Sequence, residues 1–371
     1  MRPLRPRYWI LPVALAVASV WLSTPATATS AVTCGETITQ DTTLTTDLTN
    51  CPGNGLVIGA DNLRLDLGGH RISGAAHGAL QCYSGGGGTG PCDGVSLVEH
   101  GGLTITNGAI TGFDTGIGGV GADFTTNNHI SRLRITGTVD DAILVGTDNV
   151  VTANRVDGPI VVVARSEVAF NSGTGRASIF GFGGDHDRIE YNAVPRVDLH
   201  AATDGYVAHN VTTGGGIVAE GGADNGLITS NILPRSNIFV GASNNDIVSH
   251  NVLFGPLPNL NGIRVGFDPF SGHSGPDGVQ VTDNVVVGFG IDGIEVDYNG
   301  AASHTLVNGN VVVENGHDGI ENGDATATLA RNIAIANQAL GIESVPGATD
   351  GGGNRAAANG DPLECTVIAC H

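Results

Sequence analysis

A phrase that returns about every twenty residues, a strand-like alternation inside each return and turn residues between returns predict an all-β fold. They point to a single-stranded, right-handed parallel β-helix of about a dozen coils with disulfide-stapled ends. The phrase is Asn-x-(Val/Ile/Leu) or a near variant, as at Asn154-Arg155-Val156, Asn192-Ala193-Val194, Asn231-Ile232-Leu233, Asn251-Val252-Leu253, Asn284-Val285-Val286, Asn310-Val311-Val312 and Asn332-Ile333-Ala334. Asn171 and Asn210 keep the rhythm, and the successive spacings from Asn154 are 17, 21, 18, 21, 20, 33, 26 and 22 residues. A propeller blade needs about 40 residues, so the shorter period selects a solenoid.

A second phrase, Gly-Ile-x-Val or close to it, recurs ahead of these asparagines: Gly262-Ile263-Arg264-Val265, Gly293-Ile294-Glu295-Val296, Gly319-Ile320-Glu321-Asn322 and Gly341-Ile342-Glu343-Ser344. Period-two alternation turns the first and third side chains after the glycine inward and the one between them outward. No coil can bury its inner face alone, so stacking is obligatory. The asparagines fit equivalent corners, where they can adopt a left-handed backbone and hydrogen-bond to one another up the stack. Segments 62–67, 103–107 and 130–135 alternate in the same way. Insertions are expected at Gly74 to Asp93 and at Gly255 to Asp277. The expected organisation is a leader at 1–28, an N-terminal cap at 29–54, the β-helix at 55–345 and a C-terminal cap at 346–371.

The leader is read from Arg2, Arg5 and Arg7, the apolar run from Ile10 to Leu22 and the small-x-small motif Ala26-Thr27-Ala28. The run is too short to span a bilayer, so the mature chain is expected to be secreted, extracellular or held at the cell wall, without a membrane partner. Six cysteines suit that compartment and fall as sequence-local pairs: Cys34 with Cys51, Cys82 with Cys92 and Cys365 with Cys370. Six cysteines allow 15 connectivities, and proximity favours this one. There are 58 glycines, no lysine and 5% aromatics, and the net charge of −20 becomes more negative once the leader's arginines are removed. Such acidity argues against nucleic acid as a partner. The chain is expected to act as a monomer.

The outward positions of one strand, read coil by coil, form a column on one wall: Leu144, Val161, Asp198, Val218, Phe239, Arg264, Glu295, Glu321 and Glu343. The next outward position gives Gly146, His200, Glu220, Gly241, Gly266 and Asp297. From Asp198 onward the wall turns polar. Like charges about 5 Å apart are mutually destabilising unless a cation, a proton or a substrate relieves them, which marks this wall as a site. Phe239, Phe267, Phe270, Phe289 and Tyr298 are candidate platforms for sugar, most of them better read as packing residues.

The repeats resemble those of right-handed β-helix, pectate-lyase-like proteins over about residues 55–345, an architecture that hosts lyases, hydrolases, epimerases, esterases and binding proteins. Val265-Gly266-Phe267-Asp268-Pro269-Phe270, followed by Asp292-Gly293-Ile294-Glu295-Val296-Asp297-Tyr298, is similar to the mannuronan C5-epimerases, with their Tyr-Gly-Phe-Asp-Pro-His and Asp-Gly-x-x-x-Asp-Tyr segments. The resemblance implies Asp268 and Asp297 at that family's two aspartate positions. The family's tyrosine position is Val265 here and its histidine position is Phe270; its next histidine falls at Asp318, with His317 one residue earlier.

Three functions follow as expectations. A lyase or epimerase acting on a uronate polysaccharide would use Arg264, Asp268, Glu295 and Asp297 to neutralise the carboxylate, directly or through Ca²⁺, with His273 or His317 as base. A glycan-binding or structural rod would need no chemistry. A glycoside hydrolase would need only a carboxylate pair: Glu295 and Glu321, on adjacent coils, would match the ~5–5.5 Å of a retaining enzyme, and Glu295 and Glu343 would stand near the upper limit for an inverting one. The catalytic candidates are therefore Asp268, Asp297, Arg264, Glu295, Glu321, His273 and His317. Those for substrate binding are Asp198, His200, Glu220, Phe239, Phe267 and Tyr298.

Overall fold

The computed structural model describes residues 31–75, 82–83, 89–90, 92–119, 124–255, 258–267, 275–298 and 302–371; for 82–83, 89–90 and 297–298 it describes the backbone alone. The leader at 1–28, Asp268, Phe270 and His273 lie outside the described residues.

The described chain is a parallel β-solenoid of about thirteen turns, with three strands per coil stacked into three walls. The first wall is the one that carries the Gly-Ile-x-Val phrase. It runs from Glu36–Ile38 through Ile143–Leu144, Ile160–Val162, Ser178–Phe182, Ile238–Gly241, Ile263–Gly266, Ile294–Tyr298 and Ile320–Asn322 to Ile342–Ser344. Its inward positions Ile143, Ile160, Ile179, Val197, Ile217, Ile238, Ile263, Ile294, Ile320 and Ile342 are all fully buried. This aliphatic column holds the coils together, at about 1.5–3 kcal/mol for each side chain removed from water. The glycine that opens each phrase is required by contact: a Cβ on Gly293 would lie 2.7 Å from the carbonyl oxygen of Gly319 on the next coil.

Between the second and third walls runs the expected asparagine ladder, through Asn154, Asn171, Asn192, Asn210, Asn231, Asn251, Asn284, Asn310, Asn332 and Asn354. Each Nδ2 donates to the Oδ1 of the next coil at 3.0–3.1 Å. The left-handed backbone, however, falls on the residue before each asparagine. Ala153, Phe170, Tyr191, His209, Ser230, His250 and Arg331 have φ between 52° and 57°. That residue turns the corner with its side chain outward, which leaves the asparagine free to point in. Phe170, Tyr191 and His209 stack there in the open, ring centroids 5.2 and 4.8 Å apart.

The stack begins earlier and ends later than the sequence suggested. Glu36–Ile38, Thr42–Thr43 and Leu48–Cys51 form a first coil inside the segment expected as a cap, and Thr349–Gly352 and Arg355–Ala357 continue two walls past residue 345. Disulfides join Cys34 to Cys51 and Cys365 to Cys370 near the two ends. Cys92 is disulfide-bonded; the side chain of Cys82 lies outside the described residues. No helix among the described residues is long and apolar enough to cross a membrane.

Candidate functional site

The first-wall column stacks in the order read from the sequence, with one addition. Leu144 pairs with Val161, Val161 with Phe180, and Phe180 with Asp198; then follow Val218, Phe239, Arg264, Glu295, Glu321 and Glu343. Phe180, in Ser178-Ile179-Phe180-Gly181, is the position of this column that the sequence reading left out. In the neighbouring column His200 pairs with Glu220 and Glu220 with Gly241, as expected. The top of that column differs. The register shifts after Val265, so Gly266 pairs with Tyr298 in place of Asp297. The side chains of Asp297 and Tyr298 are outside the description, as is the whole of Asp268 and His273.

What the fold brings together is an acidic cluster over three coils. The corner residue two positions before each buried isoleucine is Asn261, Asp292 or Asp318, and the outward strand residue just after that isoleucine is Arg264, Glu295, Glu321 or Glu343. Asn261 accepts a hydrogen bond from the Asp292 amide at 2.8 Å, and its Nδ2 donates to Glu295. Arg264 places Nε 3.1 Å from Glu295 and its guanidinium carbon 5.8 Å from the centre of the Phe239 ring. His317 reaches over the corner, with Nδ1 2.9 Å from Asp292 and 3.2 Å from Asp318. The Asp318 amide donates to Asp292 at 2.9 Å, and the Leu340 amide to Asp318 at 2.6 Å. Asp292, Asp318 and Glu295 are buried, Glu321 is half-buried and Glu343 exposed.

So many acids in one place cannot all ionise. Burial pushes Glu321 up to about 7, helped by its hydrogen bond with Asp292 and by the charges of Asp292, Glu295 and Asp318. Burial likewise takes Asp318 up to about 6, with the backbone bond from Leu340 working against it and a hydrogen bond with Glu343 adding to it. Burial raises Glu295 too, and Arg264 holds part of that rise back. Burial works against a charge on His317, but the surrounding carboxylates outweigh it and raise its basicity. At neutral pH the cluster thus keeps protons on some carboxyls beside others that are ionised.

Asp292, His317 and Glu321 offer donor atoms within 4.8 Å of one another, so this trio could hold a metal ion. An imidazole nitrogen with two carboxylates suits a first-row transition metal. Calcium takes six to eight oxygens, and this trio is not such a set.

Asp292 and Asp318 were not among the residues singled out from the sequence. The signal was there: the tetrapeptide Asp-Gly-Ile-Glu occurs at 292–295 and again at 318–321, one coil apart. The other proposed binding residues lie lower on the same wall. Asp198 is buried and paired with Arg196 at 2.6 Å, His200 lies 3.7 Å from Glu220, and Asp198 is four coils, about 19 Å, below Glu295. Phe267 is exposed beside the upper coils, whereas Phe289 is a core residue.

No protein-family model matches the sequence, and no curated protein matches it. Solved structures with similar architecture include two mannuronan C-5 epimerase A-modules from Azotobacter vinelandii. For AlgE6 the identity is 16%, over 86% of this chain and 71% of that one, with a TM-score of 0.35; for AlgE4 it is 12%, over 85% and 87%, with a TM-score of 0.33. The catalytic domain of a GH87 α-1,3-glucanase in complex with nigerose is 13% identical over 91% of this chain and 62% of that one, TM-score 0.32. The chemistry of this chain has to be read from its own side chains.

Proposed function

We propose that the protein hydrolyses glycosidic bonds of a glycan laid along the first wall, with Glu321 as the proton donor and Glu343 as its partner carboxyl. The observation that carries this is the stacking of Glu321 directly against Glu343 on the next coil, with burial and neighbouring acids raising the Glu321 carboxyl to about 7. A glycosidase needs one protonated and one ionised carboxyl across the scissile bond. Glu343 is exposed and follows Glu321 directly in register. Stacked strands lie about 4.8 Å apart, close to the separation in enzymes that retain anomeric configuration. Asp292, Asp318 and His317 act behind the pair, holding its charge and its proton.

The lyase or epimerase expected first from the sequence has less support among these groups. It must neutralise a uronate carboxylate, yet Arg264 is engaged with Glu295, and the surrounding acids would repel a polyanion. Export of the protein, as its leader suggests, would put it where such glycans are met.

The test is incubation with a panel of linear neutral and uronate glycans. Release of reducing ends from a neutral glycan, with retained configuration and no unsaturated product, supports the proposal. Unsaturated product from a uronate polymer overturns it in favour of the lyase. Tight binding without any product overturns it in favour of a binding protein.

A further inference from the structure

A second group of polar side chains occupies the same wall near the other end of the rod. A hollow of about 520 Å³ opens there between Thr115, Gly119, Asp140, Asp141, Leu144 and Arg176. Asp141 stands two residues before the buried Ile143, the corner position that Asp292 occupies before Ile294. Asp140 is exposed beside it, and Arg176 reaches back so that its guanidinium donates to the carbonyls of Thr138 and Asp140 at 3.5 and 3.3 Å. Beneath lies Asp93, 3% exposed, whose Oδ1 is buried without a hydrogen-bond partner. Its carboxylate lies so close to Gly119, on the wall of the hollow, that a Cβ there would come within 2.4 Å of Oδ2. Burial pushes the carboxyls of Asp93 and Asp141 up to about 6. Carboxyl acceptors and a guanidinium fork converge on one concave surface.

Between this hollow and Arg264 the outward positions of the first column are Leu144, Val161, Phe180, Asp198, Val218 and Phe239, apolar except for Asp198, with His200 and Glu220 in the column beside it. Seven strand pairings separate Leu144 from Glu295, about 34 Å along the rod. Polar groups that fix hydroxyls at each end, with a mostly apolar floor between, are what an extended uncharged sugar chain requires.

We propose that the hollow at Asp140, Asp141 and Arg176 is a distal anchoring subsite for a long neutral glycan whose other end lies at the Glu295–Glu321–Glu343 cluster. The inference rests on the reading of the first wall as a glycan track, but not on cleavage there. One chain engaging both places gains affinity from the linkage, and a chain too short to span them gains none.

The experiment is calorimetric titration with linear neutral oligosaccharides of glucose, galactose, mannose and xylose, each as a trimer and as a chain of about twelve sugars. The proteins are wild type, the Asp140→Asn/Asp141→Asn double variant, Arg176→Ala and Glu321→Gln. For one sugar type, the long chain is expected to bind wild type roughly tenfold or more tighter than the trimer. The two distal variants should lose that advantage while keeping trimer affinity and any turnover of the trimer. Glu321→Gln should keep the advantage and lose turnover. An unchanged long-chain affinity in both distal variants overturns the subsite, as does failure of every long chain to bind. Length-dependent binding without turnover by wild type leaves the subsite standing and removes the hydrolase.

Discussion

The Nδ1 atom of His317 and the carboxylate of Asp292 stand 2.9 Å apart across two successive coils, although 25 residues separate them in the chain. Asp292 also accepts the Asp318 amide at 2.9 Å through the same oxygen, so one buried acid orders the whole corner. The site is therefore made of groups whose charges depend on one another, and its chemistry should respond to single changes of charge.

Replacing Glu321 with Gln removes the proposed proton donor and relieves like-charge crowding. Turnover of the glycan identified in the panel is expected to fall by about 10²–10⁴-fold, the usual contribution of a positioned acid. The melting temperature should stay constant or rise. Comparable loss of both activity and melting temperature would point to misfolding.

The pH profile carries its own sign. Because the donor must be protonated and its carboxyl is raised to about 7, activity should decline as pH rises through that value. Initial rates between pH 4 and 9 at saturating substrate check this, and a rate that climbs steadily through pH 8 would remove Glu321 from the role.

A further prediction concerns Asn231. Its Oδ1 accepts from the amide and the side chain of Asn210, and its Nδ2 donates to the Val207 carbonyl and to Asn251. Asn231→Ala strands several buried partners at once and is expected to cost about 2–4 kcal/mol. Urea denaturation followed by circular dichroism measures it; an effect below about 0.5 kcal/mol, the range of ordinary surface changes, would deny the ladder its structural role.

Away from the site, Asp246 is fully buried, takes bonds from Ser243 at 2.5 Å and from the Gly226 amide at 2.6 Å, and is raised by burial from 3.8 to about 7. The folded chain holds a proton that the unfolded chain releases, so its stabilising effect is complete at acid pH and fades as pH climbs from about 4 to 7. Melting temperatures across that range should fall for wild type and fall less steeply for Asp246→Asn. Equal slopes would show that Asp246 binds no extra proton in the fold.

The wall was legible because the pleat has a fixed period of two and the coil a nearly fixed length. Arg264, Glu295, Glu321 and Glu343 could thus be stacked by counting from their isoleucines. Counting failed where the backbone departs from regularity. The shift after Val265 moves Tyr298 opposite Gly266, and nothing in Val265-Gly266-Phe267 announces it. Asp292 and Asp318 were passed over because an aspartate before a glycine reads as a turn former, and only the stacking of two such turns reveals a buried acid pair. Left-handed backbone at Phe170 and Tyr191 was equally hidden, since aromatic side chains rarely adopt it.

The asparagine ladder has a consequence for the evolution of the molecule. Every amide along it hands its hydrogen to the next in one direction, so the joint between storeys is the same at each rung although the coils differ in length. Excising the residues from one rung to the next would shorten the rod by a single storey and leave the remaining rungs joined. The distance between two features on the same wall can thus be reset in increments of one storey, without redesigning either feature.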